Sequence, residues 1–84
     1  MLHVAVISPE RTLFEGEASS VIAPAHDGEV GILTGHAPMM ALLGSGQLRL
    51  MSGGGERRFS VSGGFLQVVD DQVRVVTEQA KEQG

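Results

Sequence analysis

The sequence has 84 residues, a length that suits one domain. Its formal net charge is −4, with 6 Lys+Arg against 10 Asp+Glu, which argues against a nucleic-acid surface because such surfaces cluster their cations. Hydrophobic residues make up 42% of the chain, too large a share for a disordered protein. The lack of cysteine excludes disulfides, thiolate zinc sites and thiol catalysis.

Short apolar segments in the first half, interrupted by glycine and proline, are typical of an all-β domain. Pro24 lacks a backbone N–H, so we expect it to end the third strand. Residues 25–28 have turn composition, and Gly28 can adopt a positive φ. The predicted strands of this half are residues 2–7, 11–17, 20–23, 29–33 and 39–43.

The second half alternates apolar and polar residues over 47–52, 58–62, 65–69 and 72–77, with turns at 53–55, 63–64 and 70–71. This pattern predicts a meander of hairpin-linked strands, covered on its apolar face by a second sheet built from the first half. The fold class is therefore all-β, a β-sandwich. Residues 78–84 have a helical composition without an apolar stripe. We expect a sandwich domain over residues 1–78 and a short, frayed polar C-terminal tail over 79–84.

Three polar side chains beside the 25–28 turn, those of His26, Asp27 and Glu29, together with His36 in the next loop, permit a metal or ligand site. Their spacing matches no zinc motif. A free-standing β-sandwich that binds a ligand or metal through these four residues stays open as the alternative function. No Gly-x-Ser-x-Gly elbow is present, and we do not expect an enzyme.

The longest stretch free of Asp, Glu, Lys and Arg is residues 30–48. Its glycines, together with His36 and Pro38, break it too often for a transmembrane helix. The run 39–43 is apolar on both faces of a strand. It is therefore either buried between two layers or exposed on one face to a partner protein, and composition does not distinguish the two.

The segment Gly-Glu-Val-Gly-Ile-Leu-Thr-Gly-His-Ala-Pro at 28–38 closely resembles the signature of the epsilon subunit of F-type ATP synthase. The segment Phe-Ser-Val-Ser-Gly-Gly-Phe-Leu-Gln-Val at 59–68 resembles the Ser-Gly-Gly strand pair of that family. Residues 6–10, 13–18 and 46–49 fit the same domain. The resemblance covers residues 2–80 in ordered blocks.

This resemblance implies a β-sandwich of two roughly five-stranded antiparallel sheets. It also implies a noncatalytic rotor subunit of the central stalk that binds the gamma subunit and the c-ring and couples proton translocation to ATP synthesis. Contact with the catalytic alpha/beta head would be indirect. We expect no cofactor, no metal and no nucleic acid. The protein would be peripheral to the cytoplasmic face of a bacterial inner membrane, or to the equivalent organellar face, through the complex alone.

The resemblance also implies two sets of contact residues. The residues expected to face the c-ring are Glu29, Gly35, His36, Ala37 and Pro38. The residues expected to contact the gamma subunit are Ser8, Met39, Met40, Leu42 and Leu43.

Members of this family usually continue into a C-terminal helical hairpin that restrains ATP hydrolysis. The sequence stops at Gly84, where that hairpin would begin. We therefore expect the inhibitory hairpin to be lacking, in a chain that is either a natural short form or a truncated one.

Overall fold

Apolar and polar residues alternate with a period of two along most of the chain, and these segments form strands. The computed structural model describes residues 1–83, and over that range it contains strands and no helix. No segment in those residues is a helix long and apolar enough to cross a bilayer. The strands are β1 (Leu2–Ile7), β2 (Thr12–Ala18), β3 (Ser20–Ala25), β4 (Gly28–Leu33), β5 (Met39–Leu42), β6 (Ser45–Ser52), β7 (Gly55–Ser62), β8 (Phe65–Val69), β9 (Gln72–Val76) and β10 (Gln79–Gln83).

These strands form two five-stranded sheets, as predicted. The first sheet has the order β2-β1-β9-β8-β5, and the second has the order β10-β7-β6-β3-β4. The pairing is antiparallel apart from β1 and β9, which run parallel. A parallel pair needs a long return connection, and the chain between Ile7 and Gln72 supplies it.

The core lies between the sheets and takes alternate residues from both. Leu2, Val4 and Val6 of β1 are fully buried, while the residues between them are more exposed. Although all residues of β1 except His3 are apolar, only one face of the strand is fully buried. The other large side chains that are fully buried include Ile32, Leu48, Leu50, Phe59 and Leu66.

The predicted meander is wrong. β6 and β7 form a hairpin in the second sheet, whereas β8 and β9 form a hairpin in the first. The chain changes sheets at Gly63 and Gly64, whose φ angles are 72° and 101°. Each sheet therefore combines strands from both halves of the sequence. The hairpin predicted at Asp70 and Asp71 is confirmed, with φ angles of 50° and 61°, the positive values that a two-residue turn of this kind requires.

Pro24 does not end β3, which continues to Ala25. The carbonyl of Pro24 accepts a hydrogen bond from the Gly44 N–H at 2.8 Å. In an antiparallel strand the N–H and C=O of one residue point to the same side. The missing N–H therefore falls on the Gly44 side, and the pairing of Pro24 with Glu29 in β4 is undisturbed.

The frayed conformation predicted for the polar tail is wrong over residues 79–83, which form β10 and pair with β7. Residue 84 of the predicted tail lies outside the described residues. Ala80 packs against the core. Glu82 accepts a hydrogen bond from Arg57 at 2.6 Å. The buried Thr77 hydroxyl lies 2.9 Å from the Gln79 carbonyl. Cross-strand pairing thus overrides the weak helical preference of a short segment.

We expect the Arg57–Glu82 pair to make part of the stability depend on pH. The hydrogen bond from Arg57 lowers the pKa of Glu82, and the charge of Arg57 adds to that effect. The stabilisation is therefore complete above the ordinary pKa of a glutamate and is lost as the pH falls through the lowered value. Glu82→Gln should lower the melting temperature slightly at pH 7 and reduce its loss on acidification. Thermal unfolding between pH 3 and pH 7, with Glu17→Gln as control, measures this. Equal acid profiles for the Glu82→Gln variant and the unmodified protein would contradict it.

Candidate interaction surface

Glu29 lies near one end of the sandwich, just after the β3–β4 turn. It is the second residue of β4 and is exposed. Its Oε2 lies 3.4 Å from Nη2 of Arg49, two strands away in the same sheet. The carboxylate is thus held in place by an ion pair and remains open to solvent.

The loop of residues 34–38 lies at the opposite end, between β4 and β5. Gly35 has a φ of 88°, and its N–H donates to the Asp71 carboxylate at 2.7 Å. The His36 N–H donates to the Leu33 carbonyl at 3.1 Å, and the ring Nδ1 lies 2.7 Å from the Ala37 carbonyl oxygen. These contacts tie the loop to the β8–β9 turn and orient the imidazole.

The structure separates the two parts of the expected c-ring contact. Glu29 and the last residue of β4, Leu33, are four residues apart, which is ~13 Å at the rise of a β-strand. The 34–38 loop starts beyond that point. His36 is thereby kept from Glu29 and from the turn formed by His26 and Asp27. No group of three His, Asp or Glu residues within 1–83 is placed to hold a metal. The donor set of the metal-binding alternative does not converge.

Apart from Ser8, the residues expected to contact the gamma subunit lie in the 39–43 segment and are divided between its two faces. Met40 and Leu42 point outward and are 66% and 68% exposed. Met39 packs against the core, and Leu43 is buried at 5% exposure. The segment is therefore not buried between two layers, and one of its apolar faces is exposed. Met39 and Leu43 belong to the interior.

Leu42 is the first member of an apolar row across the outer face of the first sheet. It pairs with Phe65 of β8, which pairs with Val76 of β9, which pairs with Ile7 of β1. We call these four residues the apolar row. Ile7, Phe65 and Val76 are half-buried, although no strand in the described part of the chain covers them. The row spans four strands, or ~14 Å at the spacing of neighbouring strands.

Ser8 lies beside the end of this row, directly after Ile7. Its N–H and hydroxyl both donate to the Arg11 carbonyl, at 2.9 and 3.0 Å, so that Ser8–Arg11 forms a closed turn. Pro9 of that turn lines a shallow groove together with Leu42, Phe65 and Val76. Three of the predicted residues, Ser8, Met40 and Leu42, therefore share one surface. That surface is partly exposed, because Met40 and Leu42 are exposed while Ile7, Phe65 and Val76 are half-buried.

The whole described chain matches a single family model. Residues 1–83 match the family described as "ATP synthase, Delta/Epsilon chain, beta-sandwich domain". The chain belongs to this family. The epsilon-chain fold and the family resemblance expected from the sequence are thereby confirmed.

Individual epsilon-chain relatives extend this result. The ATP synthase epsilon chain of Solibacter usitatus is 46% identical over 80 residues, which are 95% of this chain and 60% of that protein. The epsilon chain of Frankia casuarinae is 41% identical over 81 residues, 95% of both. A chain in the cryo-EM structure of the Euglena gracilis mitochondrial ATP synthase, OSCP/F1/c-ring, superposes with a TM-score of 0.88 at 25% identity, covering 96% of this chain and 52% of that one. This chain therefore spans about 60% of the Solibacter usitatus relative.

Three members of the apolar row in this epsilon-chain domain were not predicted from the sequence: Ile7, Phe65 and Val76. A signal for them exists. Four strands of the first sheet carry two consecutive apolar residues, namely Val6-Ile7, Ala41-Leu42, Phe65-Leu66 and Val75-Val76. Because side chains alternate across a sheet, one residue of each pair must face outward. The pairs identify outward apolar positions, but only the pairing of the strands shows that they align.

Proposed function

We propose that this protein is a noncatalytic rotor subunit of the central stalk of F-type ATP synthase. In this proposal it binds the gamma subunit and the c-ring and couples proton translocation to ATP synthesis. It touches the alpha/beta head only indirectly. It lies at the cytoplasmic face of a bacterial inner membrane, or the equivalent organellar face, held there by the complex.

The observation that carries the proposal is the partly exposed apolar row with Met40 and Ser8 at its border. An exposed contiguous apolar surface on a small soluble domain is typical of a protein–protein interface. Methionine and phenylalanine are enriched in such interfaces. Membership in the epsilon-chain family supports the gamma subunit as the occupant. The gamma contact therefore consists of Ser8, Met40 and the apolar row, while Met39 and Leu43 support it from the core.

Met40→Glu tests the gamma contact. It places a carboxylate on the surface that is expected to be dehydrated on binding, so the dissociation constant should rise about tenfold or more. The fold should persist because Met40 is 66% exposed. Met51→Glu is the matched control, since Met51 is 44% exposed on the other sheet. Titration calorimetry with purified gamma subunit measures both variants. If neither Met40→Glu nor Met51→Glu weakens binding, or if both weaken it equally, the proposed surface is contradicted.

For the c-ring contact, the separation of Glu29 from the 34–38 loop requires a choice between two ends of the sandwich. We place the contact at the Glu29 end, because Leu42 of the apolar row lies there, against the β3–β4 turn: the His26 N–H donates to the Leu42 carbonyl at 2.8 Å. One corner of the domain would then meet both partners. The polar groups there, Glu29 with Arg49, can form charge-assisted hydrogen bonds with polar loops of the ring.

Separate variants at the two ends test this choice. Glu29→Arg should reduce assembly of the protein onto membranes that contain the c-ring and reduce coupled ATP synthesis. His36→Glu should leave both unchanged. The reverse result would assign the ring to the Gly35–Pro38 end. No effect from either variant would remove the ring contact from both ends.

A further inference from the structure

The outer face of the first sheet also carries a charge that has no ion-pair partner among residues 1–83. Next to the apolar row lies a second row of cross-strand pairs, in which Met40 pairs with Gln67, Gln67 with Arg74, and Arg74 with Ala5. Arg74 is therefore near the middle of the sheet. It is exposed and stands two residues along β9 from Val76 of the apolar row.

Arg74 makes no ion pair within residues 1–83, unlike the arginines of the second sheet. Arg49, Arg57 and Arg58 each lie within 3.4 Å of a carboxylate. Glu15 is the carboxylate that shares the row of Arg74, but Ala5 of β1 lies between them, and Glu15 lies 3.5 Å from the His3 ring. The ten Asp and Glu side chains, all of which lie among residues 1–83, thus leave this central cation unpaired.

The neighbours of Arg74 are polar on one side and apolar on the other. Gln67, Asp70, Gln72 and the exposed Val69 line a shallow groove with it. No carboxylate among residues 1–83 lies within 4 Å of its guanidinium. The apolar row lies on the other side. A guanidinium at the border of an apolar surface is well suited to bind a carboxylate bidentately, and arginine is enriched in interface hot spots.

We propose that Arg74 is the polar anchor of the gamma-binding surface. Its guanidinium binds the carboxylate of an aspartate or glutamate side chain of the partner. The partner surface then presents an apolar ridge against the apolar row and a carboxylate ~7 Å from it, the distance of two residues along a strand. The apolar row provides most of the contact area, and Arg74 fixes the orientation of the partner across the sheet. This inference rests on the proposed function.

The test measures the affinity of the intact chain for purified gamma subunit at several salt concentrations. Arg74→Gln should weaken binding about tenfold, because a charge-assisted hydrogen bond is lost. It should also flatten the dependence of affinity on salt. Arg74→Glu should weaken binding more, and Arg74→Lys less than Arg74→Gln. Lys81→Gln is the control, since it removes an exposed charge from the second sheet and should change nothing.

The outcomes separate this inference from the proposed function. If Arg74→Gln binds with wild-type affinity and salt dependence while Met40→Glu loses affinity, the anchor is disproved and the gamma surface stands. If the unmodified protein does not bind gamma, both are disproved. Restoration of Arg74→Glu binding by an Asp or Glu to Arg change in gamma would identify the partner carboxylate. Circular dichroism of each variant establishes that the fold is intact.

Discussion

Phe59→Ala is expected to lower the free energy of unfolding by about 3–5 kcal/mol, the usual cost of removing a large buried aromatic side chain. Phe59 is fully buried in β7. Its ring packs edge-on against Phe14 of the other sheet, with ring centroids 6.4 Å apart. The Arg57 guanidinium covers both rings, at 5.0 Å from the Phe14 centroid and 5.9 Å from the Phe59 centroid. The substitution therefore removes the contact that closes the sandwich on the β2 and β10 side.

Phe65→Ala is the matched control for Phe59→Ala. Phe65 is half-buried on the outer face of the first sheet, so the same change should cost clearly less stability there. It should, however, weaken binding to the gamma subunit, because Phe65 belongs to the apolar row. Urea unfolding and calorimetric titration measure the two effects. Equal stability losses at Phe59 and Phe65 would contradict the assignment of Phe59 to the core.

Local structure was largely predictable from the sequence because it depends on neighbouring residues. The alternation of 47–52 and 65–69 predicted β6 and β8, and Asp70-Asp71 predicted the turn between β8 and β9. The predicted strand 39–43 differs from β5 by one residue. In each case the signal and the structure lie within one short segment.

Strand pairing was not predictable, since it depends on contacts between distant segments. A two-glycine turn after an alternating strand is typical of a hairpin, yet Gly63 and Gly64 carry the chain into the other sheet. β10 has a composition that favours helix and becomes a strand because β7 offers a free edge and Arg57 offers a partner to Glu82. Neither outcome can be read from the segment itself.

The candidate site was also predictable in part: its residues within one segment could be proposed from the sequence, but their alignment across strands could not. The family resemblance implied a gamma contact at Met40 and Leu42, which stays a prediction, and both side chains are exposed. The sequence could not distinguish Met40 and Leu42 from Met39 and Leu43, because a run that is apolar on both faces does not show which face is outward. The alignment of Leu42 with Phe65 follows only from the pairing of β5 with β8. The central position of Arg74 has the same origin.

Gly64→Ala should be among the most damaging single changes outside the core. Gly64 has a φ of 101°, which strains any residue with a Cβ. A Cβ there would overlap the Val76 carbonyl oxygen and lie 2.7 Å from the Thr77 Cα. Left-handed strain and overpacking each cost about 1–3 kcal/mol, so the free energy of unfolding should fall by about 2–6 kcal/mol.

Gly54→Ala separates the two causes. Gly54 has a φ of 88°, but a Cβ there would meet no atom within 4 Å. Gly54→Ala therefore introduces the backbone strain without the steric overlap, and it should lower the free energy of unfolding less than Gly64→Ala does. The Gly64 carbonyl also accepts the Leu43 N–H at 3.0 Å, so a shift of this backbone moves Leu42 and Phe65 relative to each other. Gly64→Ala should thus weaken gamma binding even where the domain stays folded, whereas Gly54→Ala should not. Chemical unfolding measures the stability of both variants, and calorimetry measures their binding to gamma. Equal effects of the two variants would show that the close approach of Gly64 to Val76 does not hold the apolar row in register.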